Sequence, residues 1–150
     1  MKIVVQRSLE SKVTVDGTIV GKIDKGLVVL VGFTEGDTIK DIEYIVKKDL
    51  NLRIFDDENG VMNKSLLDVG GSILSISQFT LYGDARKGNR PNYIKALTSS
   101  LAKPLYEKLN EQLRISGVEV ETGVFGADMK VNIMNDGPVT IILESSDSND

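Results

Sequence analysis

The sequence predicts an α+β domain with mainly antiparallel sheets that form a barrel-like two-layer core, together with two segregated helices. Two observations predict this class. Strand-like runs fill the first third of the chain and return after residue 118, and only two stretches show helical periodicity. With 150 residues, the chain is long enough for one domain with a substantial buried core.

Four strands are predicted in the first third, at residues 2–6, 12–15, 18–23 and 27–31. Asp16-Gly17 has the composition of a tight hairpin turn between the second and third of them. The fourth run is apolar without alternation, which is typical of a strand buried on both faces.

The first helix is predicted from Thr38 to Leu50, because Thr38 and Asp41 have the spacing of a capping box and an apolar stripe follows. The second is predicted from Ser99 to Ser116, with leucines on one face and Gly117 as its stop. Pro104 lies inside this span, where it costs little near the helix start but would bend the axis further in.

The remaining strands are shorter. A hairpin is expected at residues 52–55 and 61–62, and a long strand at 72–81. Further strands are expected at 118–120, 130–134 and 139–143. Gly137-Pro138 stands between the last two, and its simplest interpretation is a hairpin turn.

Composition limits the chemistry of this chain. It has no His and no Cys, so imidazole acid–base catalysis, thiol nucleophiles and thiolate metal sites are excluded. No metal and no cofactor are expected. No apolar run reaches the ~18 residues that span a bilayer, and a cytosolic location is expected by default. Residues 1–144 are predicted to be the domain, and residues 145–150 a polar, acidic, solvated tail.

The net charge of −4 argues mildly against nucleic-acid binding, but much of the excess lies near the C-terminus and the body is almost neutral. Arg86-Lys87-Gly88-Asn89-Arg90 is the best candidate for a local contact with phosphates. Its alternative interpretation is a solvated loop.

The predicted strand at 72–81 carries polar groups near its end. Alternation would place Gln78 and Thr80 on one face and Ser77 and Phe79 on the other. The ordinary interpretation is local hydrogen bonding on a half-exposed face. Ser77 is expected to be structural rather than nucleophilic, because no His is present to activate it.

Several motifs in order resemble the D-aminoacyl-tRNA deacylases, over roughly residues 1–144. They are Gln6-Arg7, Arg53-Ile54-Phe55, Asn59-Gly60, Gly70-Gly71, Ser77-Gln78-Phe79-Thr80-Leu81, Arg90-Pro91, Gly126-Ala127-Asp128-Met129 and Asn135-Asp136-Gly137-Pro138-Val139-Thr140. No single motif is rare, but the ordered set is specific.

The resemblance implies a carboxylic ester hydrolase that acts on D-aminoacyl-tRNA as a homodimer. It implies catalytic positions at Gln78, Thr80 and the Phe79 backbone, which would stabilise an oxyanion. It also implies a cis Gly137-Pro138 bond that enters the partner subunit's site and rejects L-amino acids. Glycyl-tRNA mischarged on tRNA(Ala) would then pass as a side reaction, and the substrate's 2′-hydroxyl would assist an attacking water.

Four further residues complete the expected substrate-binding set. Arg7 is expected to hold the Gly137-Pro138 segment, with an ordinary surface ion pair as its alternative. Phe125 and Met129 are expected to line the adenosine or aminoacyl pocket, although apolar residues of this kind are more often core. Ser77 belongs to the same set in a structural role.

Alternatives remain at this stage. One is the related deacylase with a trans Gly-Pro bond, which tolerates L-amino acids. Others are a non-catalytic RNA-binding or dimerisation module and a hydrolase of small D-amino-acid esters. The sequence also leaves open a transient acyl-Thr80 intermediate beside substrate-assisted hydrolysis.

Overall fold

The computed structural model describes residues 1–146, which form ten strands, three α-helices and a short 3₁₀ helix at Phe79–Tyr82. The strands are β1 (Lys2–Ser8), β2 (Ser11–Val15), β3 (Thr18–Ile23), β4 (Gly26–Gly32), β5 (Phe55–Asp56), β6 (Met62–Lys64), β7 (Ser72–Ser77), β8 (Val120–Thr122), β9 (Lys130–Asn132) and β10 (Asn135–Glu144). The helices are α1 (Ile39–Asn51), α2 (Leu66–Val69) and α3 (Ser99–Ile115).

The strands form a five-stranded sheet in the order β10-β1-β4-β7-β8, a three-stranded sheet in the order β3-β2-β9, and the pair β5-β6. Most pairs are antiparallel, but β7 runs parallel to both β4 and β8. The predicted α+β class is therefore confirmed. The barrel-like closure is not, because β10 and β8 remain as free edges of the large sheet within residues 1–146.

Two apolar cores lie on the two faces of the five-stranded sheet. The larger joins alternate residues of β1, β4 and β7, among them Ile3, Val29 and Ile73, to the three helices. The smaller joins Val28 and Leu74 on the opposite face to Val13 of the three-stranded sheet. This accounts for the unbroken apolar run of β4, which is covered on both sides.

The local signals at the helix ends are confirmed. Thr38 and Asp41 form a capping box before α1, and each accepts from the other's backbone N–H. Gly117, with φ of 92°, follows α3, and Asp16 and Gly17 both have positive φ in the hairpin between β2 and β3. The helix α2 was not predicted, because its four residues are too short for a periodic pattern.

The strand predicted at 72–81 is shorter than expected, because β7 ends at Ser77 and the chain turns into the 3₁₀ helix. This turn packs over the end of β4. A Cβ atom at Gly32 would lie 3.1 Å from the carbonyl oxygen of Gln78 and from Cβ of Leu81. The alternation predicted beyond Ser77 is therefore wrong.

The prediction of a hairpin turn at Gly137-Pro138 is also wrong. β9 pairs with β2 in the small sheet, whereas β10 pairs with β1 in the large one. Gly137 and Pro138 lie inside β10 rather than in a turn between paired neighbours.

Ser145, which the sequence analysis assigned to the solvated tail, is packed against the domain. The Ser145 side chain is buried, and its hydroxyl accepts from the N-terminal ammonium of Met1 at 3.0 Å and donates to Asp41 at 2.6 Å. Residues 147–150 of the predicted tail lie outside the described residues. Within residues 1–146, no helix is long and apolar enough to cross a membrane.

Candidate active site

A cavity of about 510 Å³ opens where β7 ends. Its wall is built from four parts of the chain that are distant in sequence: Val31 and Phe33, Ile76–Phe79, Tyr93 with Ala96–Ser99 and Ala102, and Phe125–Met129 with Val131. The predicted residues Ser77, Gln78 and Phe79 are thus brought together with Phe125 and Met129. A cavity of this size suits a small molecule or the end of a larger one.

The 3₁₀ helix determines how the two polar side chains meet. The Gln78 amide Nε2 donates to the Thr80 hydroxyl at 2.5 Å, at the protein surface. The contact arises because the chain tightens into a 3₁₀ turn after Ser77, and not from strand alternation. Gln78, which lines the cavity, therefore orients the hydroxyl of Thr80, and Thr80 itself is not among the residues that line the cavity.

The backbone N–H groups of Phe79 and Thr80 have no hydrogen-bond acceptor among residues 1–146. The first N–H groups of a helix lack acceptors within that helix. The neighbouring donors are used, since Gln78 N–H reaches the Val31 carbonyl at 2.7 Å and Leu81 N–H reaches the Gln78 carbonyl at 3.2 Å. For Phe79 and Thr80, no carbonyl or side chain of residues 1–146 accepts from outside the turn.

The aromatic ring of Phe79 is 56% exposed and packs edge to face against Tyr93, with ring centroids 5.3 Å apart. Tyr93 lies in the segment before α3. The ring pair forms one side of the cavity mouth and fixes the backbone of the 3₁₀ turn against that segment.

Few ionisable groups border the cavity. Asp128 and Tyr93 are the only ones in its wall within the described chain, and Asp128 pairs with Lys130 at 3.1 Å. No group of three or more His, Cys, Asp or Glu residues in positions 1–146 is placed to hold a metal ion. The site offers hydroxyl, amide and backbone groups.

The Gly137-Pro138 segment forms a bulge at the opposite end of the sheet. Gln6 pairs with Thr140, and Ser8 pairs with Asn135, so Arg7 alone faces four residues of β10. Gly137 and Pro138 are exposed on this bulge, and the bond between them is cis. Gly137 has φ of 131°, and a Cβ atom there would lie 2.9 Å from the backbone nitrogen of Val139.

Arg7 forms a hydrogen bond with the backbone of the bulge. Its side chain is buried, Nε donates to the Asp136 carbonyl at 3.0 Å, and Nη1 donates to the Ile54 carbonyl at 2.9 Å. The contact is with the residue that precedes Gly137. Arg7 also lies 3.4 Å from the carboxylates of Asp56 and Asp136, so the ion pair of the alternative interpretation is present as well.

Asn135 was not predicted as a site residue, although it belongs to one of the quoted motifs. Its Nδ2 donates to the carbonyls of Arg7 and Val139, each at 3.0 Å, and so spans the base of the bulge. An Asn directly before Asp-Gly-Pro was the available signal, because Asn side chains often bond backbone groups in turns. Tyr93, Thr98 and Ser99 of the cavity wall were also missed, since Tyr93 and Thr98 precede the periodic pattern of the second helix and Ser99 is only its first residue.

The bulge and the cavity do not meet within one chain. Strand pairing places Ser77 level with Val31, Ile3 and Leu143 across the sheet. The bulge is level with Arg7, four residues from Ile3 along β1, and it lies three strands away from β7. These offsets correspond to roughly 13 Å along the strands and about 14 Å across them. Arg7, Gly137 and Pro138 are thus separate from the other predicted site residues.

Comparison with known proteins shows the family to which this chain belongs. The family model described as D-Tyr-tRNA(Tyr) deacylase matches residues 4–144. The D-aminoacyl-tRNA deacylase of Geobacillus sp. (strain WCH70) is 58% identical over 147 residues, which cover 98% of this chain and 97% of the relative. The D-aminoacyl-tRNA deacylase of Thermus aquaticus has the same identity and coverage.

Two solved structures resemble the fold. One is described as a c-Myc DNA unwinding element binding protein, with a TM-score of 0.90 and 44% identity over 96% of this chain and 98% of that one. The other is described as a probable eukaryotic D-amino acid tRNA deacylase, with a TM-score of 0.81 and 18% identity over 95% of this chain and 97% of that one. At that identity, the second shows the fold alone. The chain belongs to the D-Tyr-tRNA(Tyr) deacylase family.

Proposed function

We propose that this member of the D-Tyr-tRNA(Tyr) deacylase family hydrolyses the ester bond of D-aminoacyl-tRNA and releases free tRNA and the D-amino acid. The observation that carries the proposal is the cavity at the end of β7, which is lined by Gln78 and Phe79, together with the Thr80 hydroxyl that the Gln78 amide holds beside them. The relatives that match nearly the whole chain bear the same activity in their names. A cytoplasmic location is part of the proposal, because the proposed substrate is an aminoacyl-tRNA.

The chemistry is electrostatic and does not use a side-chain base. Water adds to the ester carbonyl carbon, and the resulting oxyanion is held by the N–H groups of Phe79 and Thr80. The bond between that carbon and the ribose oxygen then breaks, and the ribose oxygen leaves as a hydroxyl. The neighbouring 2′-hydroxyl of the ribose assists the attack, which suits a cavity with only two ionisable side chains among its described residues.

Two copies of the chain are needed to complete each site. The exposed Gly137-Pro138 bulge lies about 20 Å from the cavity of its own chain, so only a second copy can bring a bulge to a cavity. The sheet face beside the bulge supports this arrangement, because Ile142 on edge strand β10 is 66% exposed. An unpaired apolar edge of this kind is typical of a protein interface. The proposed assembly is a symmetric homodimer with two composite sites.

Chirality is selected by main-chain atoms. All amino acids share the α-amino group, the ester and the direction of Cβ, so a filter that accepts many side chains must recognise those features. The rigid bulge carbonyls bind the amine and leave no space on the side where an L side chain would project. Glycine lacks Cβ and passes, so glycyl-tRNA mischarged on tRNA(Ala) is cleaved as a side reaction.

The test is hydrolysis of matched D- and L-tyrosyl-tRNA by the purified protein. We expect rapid release of D-tyrosine and no release of L-tyrosine above the uncatalysed rate. Equal cleavage of both would reject the chirality filter in favour of the L-tolerant relative. Absence of cleavage of either would reject the enzymatic function in favour of a binding module. A third arm uses D-tyrosine ethyl ester, and cleavage of it as efficient as that of D-tyrosyl-tRNA would indicate a hydrolase of small esters.

A further inference from the structure

The segment that borders the cavity carries an unusual charge for this chain. Residues 83–106 contain five basic side chains and one acidic side chain, a net of +4, although the whole protein carries −4. Tyr93 and residues 96–99 of this segment line the cavity. Positive charge is thus concentrated beside the cavity mouth while the rest of the chain is acidic.

The first part of the segment is a closed loop. Asp84 and Asn92 exchange two backbone hydrogen bonds, of 2.8 and 3.0 Å, which join the two ends of the loop. Residues 85–91 project beyond this bridge, and all of them are exposed. We call residues 85–91 the cationic loop, because they include Arg86, Lys87 and Arg90 and no acidic residue.

Arg86 is not available to a partner. Its Nε and Nη2 donate to both carboxylate oxygens of Asp84, at 2.7 to 3.1 Å. These hydrogen bonds lower the pKa of Asp84 to about 2, so the carboxylate stays charged and the pair is neutral as a unit. Arg86 therefore helps to fix the conformation of the loop and adds no net positive charge.

Lys87 and Arg90 differ from Arg86 in this respect. Both are exposed, and within residues 1–146 neither lies within ion-pair distance of a carboxylate. Lys87 is three residues after Asp84, and Arg90 is two residues before Asn92, so both lie within ~11 Å of the bridge. Tyr93 follows Asn92 directly and contacts Phe79 at the cavity mouth. Two cations without a carboxylate partner among residues 1–146 thus lie on a loop that leads directly into the cavity wall at Tyr93.

We propose that Lys87 and Arg90 bind backbone phosphates of the tRNA acceptor end while the terminal aminoacyl-ribose occupies the cavity. This inference rests on the proposed function and adds the contact that favours a whole tRNA over a free ester. A nucleic acid whose last nucleotide enters the cavity must lead its chain out past the mouth. The phosphates there meet a segment with a net charge of +4 in a protein with a net charge of −4.

The test measures binding of uncharged tRNA over a series of salt concentrations, with Lys87→Ala/Arg90→Ala compared to the unaltered protein. Each phosphate contact contributes about 0.7–0.9 to the slope of log K against log salt. We expect the slope to fall by roughly 1.5 and the Kd to rise about tenfold at low salt. In hydrolysis of D-tyrosyl-tRNA, KM should rise with kcat unchanged, and hydrolysis of D-tyrosyl-adenosine should be unaffected.

The matched control is Lys47→Ala/Lys48→Ala, which removes two exposed lysines from the last turns of α1. It changes the net charge equally, so a general field effect would weaken tRNA binding to the same extent. An unchanged slope for Lys87→Ala/Arg90→Ala, or an equal loss in the control, would overturn the inference. If the unaltered protein binds tRNA with the expected slope but hydrolyses nothing, the proposed function fails and the loop contact stands.

Discussion

Arg7 and Asp136 are joined by a hydrogen bond from the guanidinium Nε to the backbone carbonyl, 3.0 Å long, directly beneath the Gly137-Pro138 bulge. The same guanidinium reaches the Ile54 carbonyl through Nη1. Arg7 thus ties an edge-strand bulge to the β5 region, and it does so in a buried position where a planar, forked donor is needed.

Replacement of Arg7 by Lys should loosen the bulge while it keeps the charge. A lysine ammonium cannot reach both carbonyls in the geometry of the guanidinium, so one buried acceptor is left without a partner. We expect the free energy of unfolding to fall by about 2 kcal/mol and the preference for D- over L-tyrosyl-tRNA to decrease.

Urea denaturation and the ratio of kcat/KM values for the two substrates measure these effects. Arg53→Lys is the control, because Arg53 is exposed and donates to a single carbonyl, that of Asn63. If the stereochemical preference of Arg7→Lys equals that of the unaltered protein, Arg7 does not position the bulge.

The substitution Phe79→Pro removes the backbone N–H of residue 79, and we expect it to leave the backbone conformation there unchanged. Phe79 is the first residue of the 3₁₀ helix, where proline is tolerated, and Gln78 before it has φ of −143° and ψ of 78°, outside the helical region that proline disfavours. Phe79→Pro and Phe79→Ala both lose the aromatic ring, but only Phe79→Pro loses the donor.

We expect kcat of Phe79→Pro to be about 10²–10³ lower than that of Phe79→Ala, the usual effect of one oxyanion donor. The comparison is made by single-turnover hydrolysis of D-tyrosyl-tRNA, with circular dichroism to show that both variants fold. Equal rates would remove the Phe79 N–H from the mechanism. A burst of tRNA release before D-tyrosine would indicate the acyl-Thr80 alternative.

The composite site predicts complementation between two inactive variants. Gly137→Ala damages the bulge, because the added Cβ would lie 2.9 Å from the Val139 nitrogen, whereas Phe79→Pro damages the cavity. In a mixed dimer, the intact bulge of one subunit meets the intact cavity of the other, and one site of two is restored.

Random mixing of the two variants by refolding should recover about a quarter of the wild-type activity, because half the dimers are mixed and each has one intact site. Either variant refolded alone is the control and should stay inactive. No recovery in mixtures that form mixed dimers would show that bulge and cavity do not act across subunits.

Local signals predicted much of this fold. The Thr38 capping box and Gly117 determined helix ends through contacts within a few residues, which a sequence displays directly. The 3₁₀ helix at Phe79–Tyr82 was not predictable in this way, because it packs closely over Gly32, a residue that is distant in sequence and lies on a neighbouring strand. Tertiary contact overrode the strand propensity of the segment.

The candidate site was also predictable only in part, because some of its contacts are local and others depend on tertiary structure. The positions of Gln78 and Thr80 near a strand end followed from the sequence, but their mutual hydrogen bond required the 3₁₀ turn. The pairing of β10 with β1 is set by residues more than a hundred positions apart, so the bulge opposite Arg7 could not be inferred from the Asp-Gly-Pro pattern.

Asp49 is a buried carboxyl that the proposed reaction does not use. It lies on the core face of α1, is 0% exposed, and neither of its oxygens has a hydrogen-bond partner in residues 1–146. Burial raises its pKa from 3.8 to about 8. The folded protein therefore holds this proton at pH values where the unfolded chain has released it.

Between pH 4 and 8 the folded state binds one more proton than the unfolded state at Asp49, so the free energy of unfolding falls as pH rises, by at most about 1.4 kcal/mol per pH unit. This contribution is complete below the unfolded pKa of 3.8 and is lost as pH passes the folded pKa of about 8.

Asp49→Leu should remove the slope and raise stability at pH 7 by a few kcal/mol. Asp49→Asn should remove the slope too, while a buried polar group remains. Urea unfolding at pH 5, 6, 7 and 8 gives the difference between each variant and the unaltered protein. A difference that is constant with pH would show that Asp49 is ionised in the folded state at pH 5, with its charge compensated inside the core.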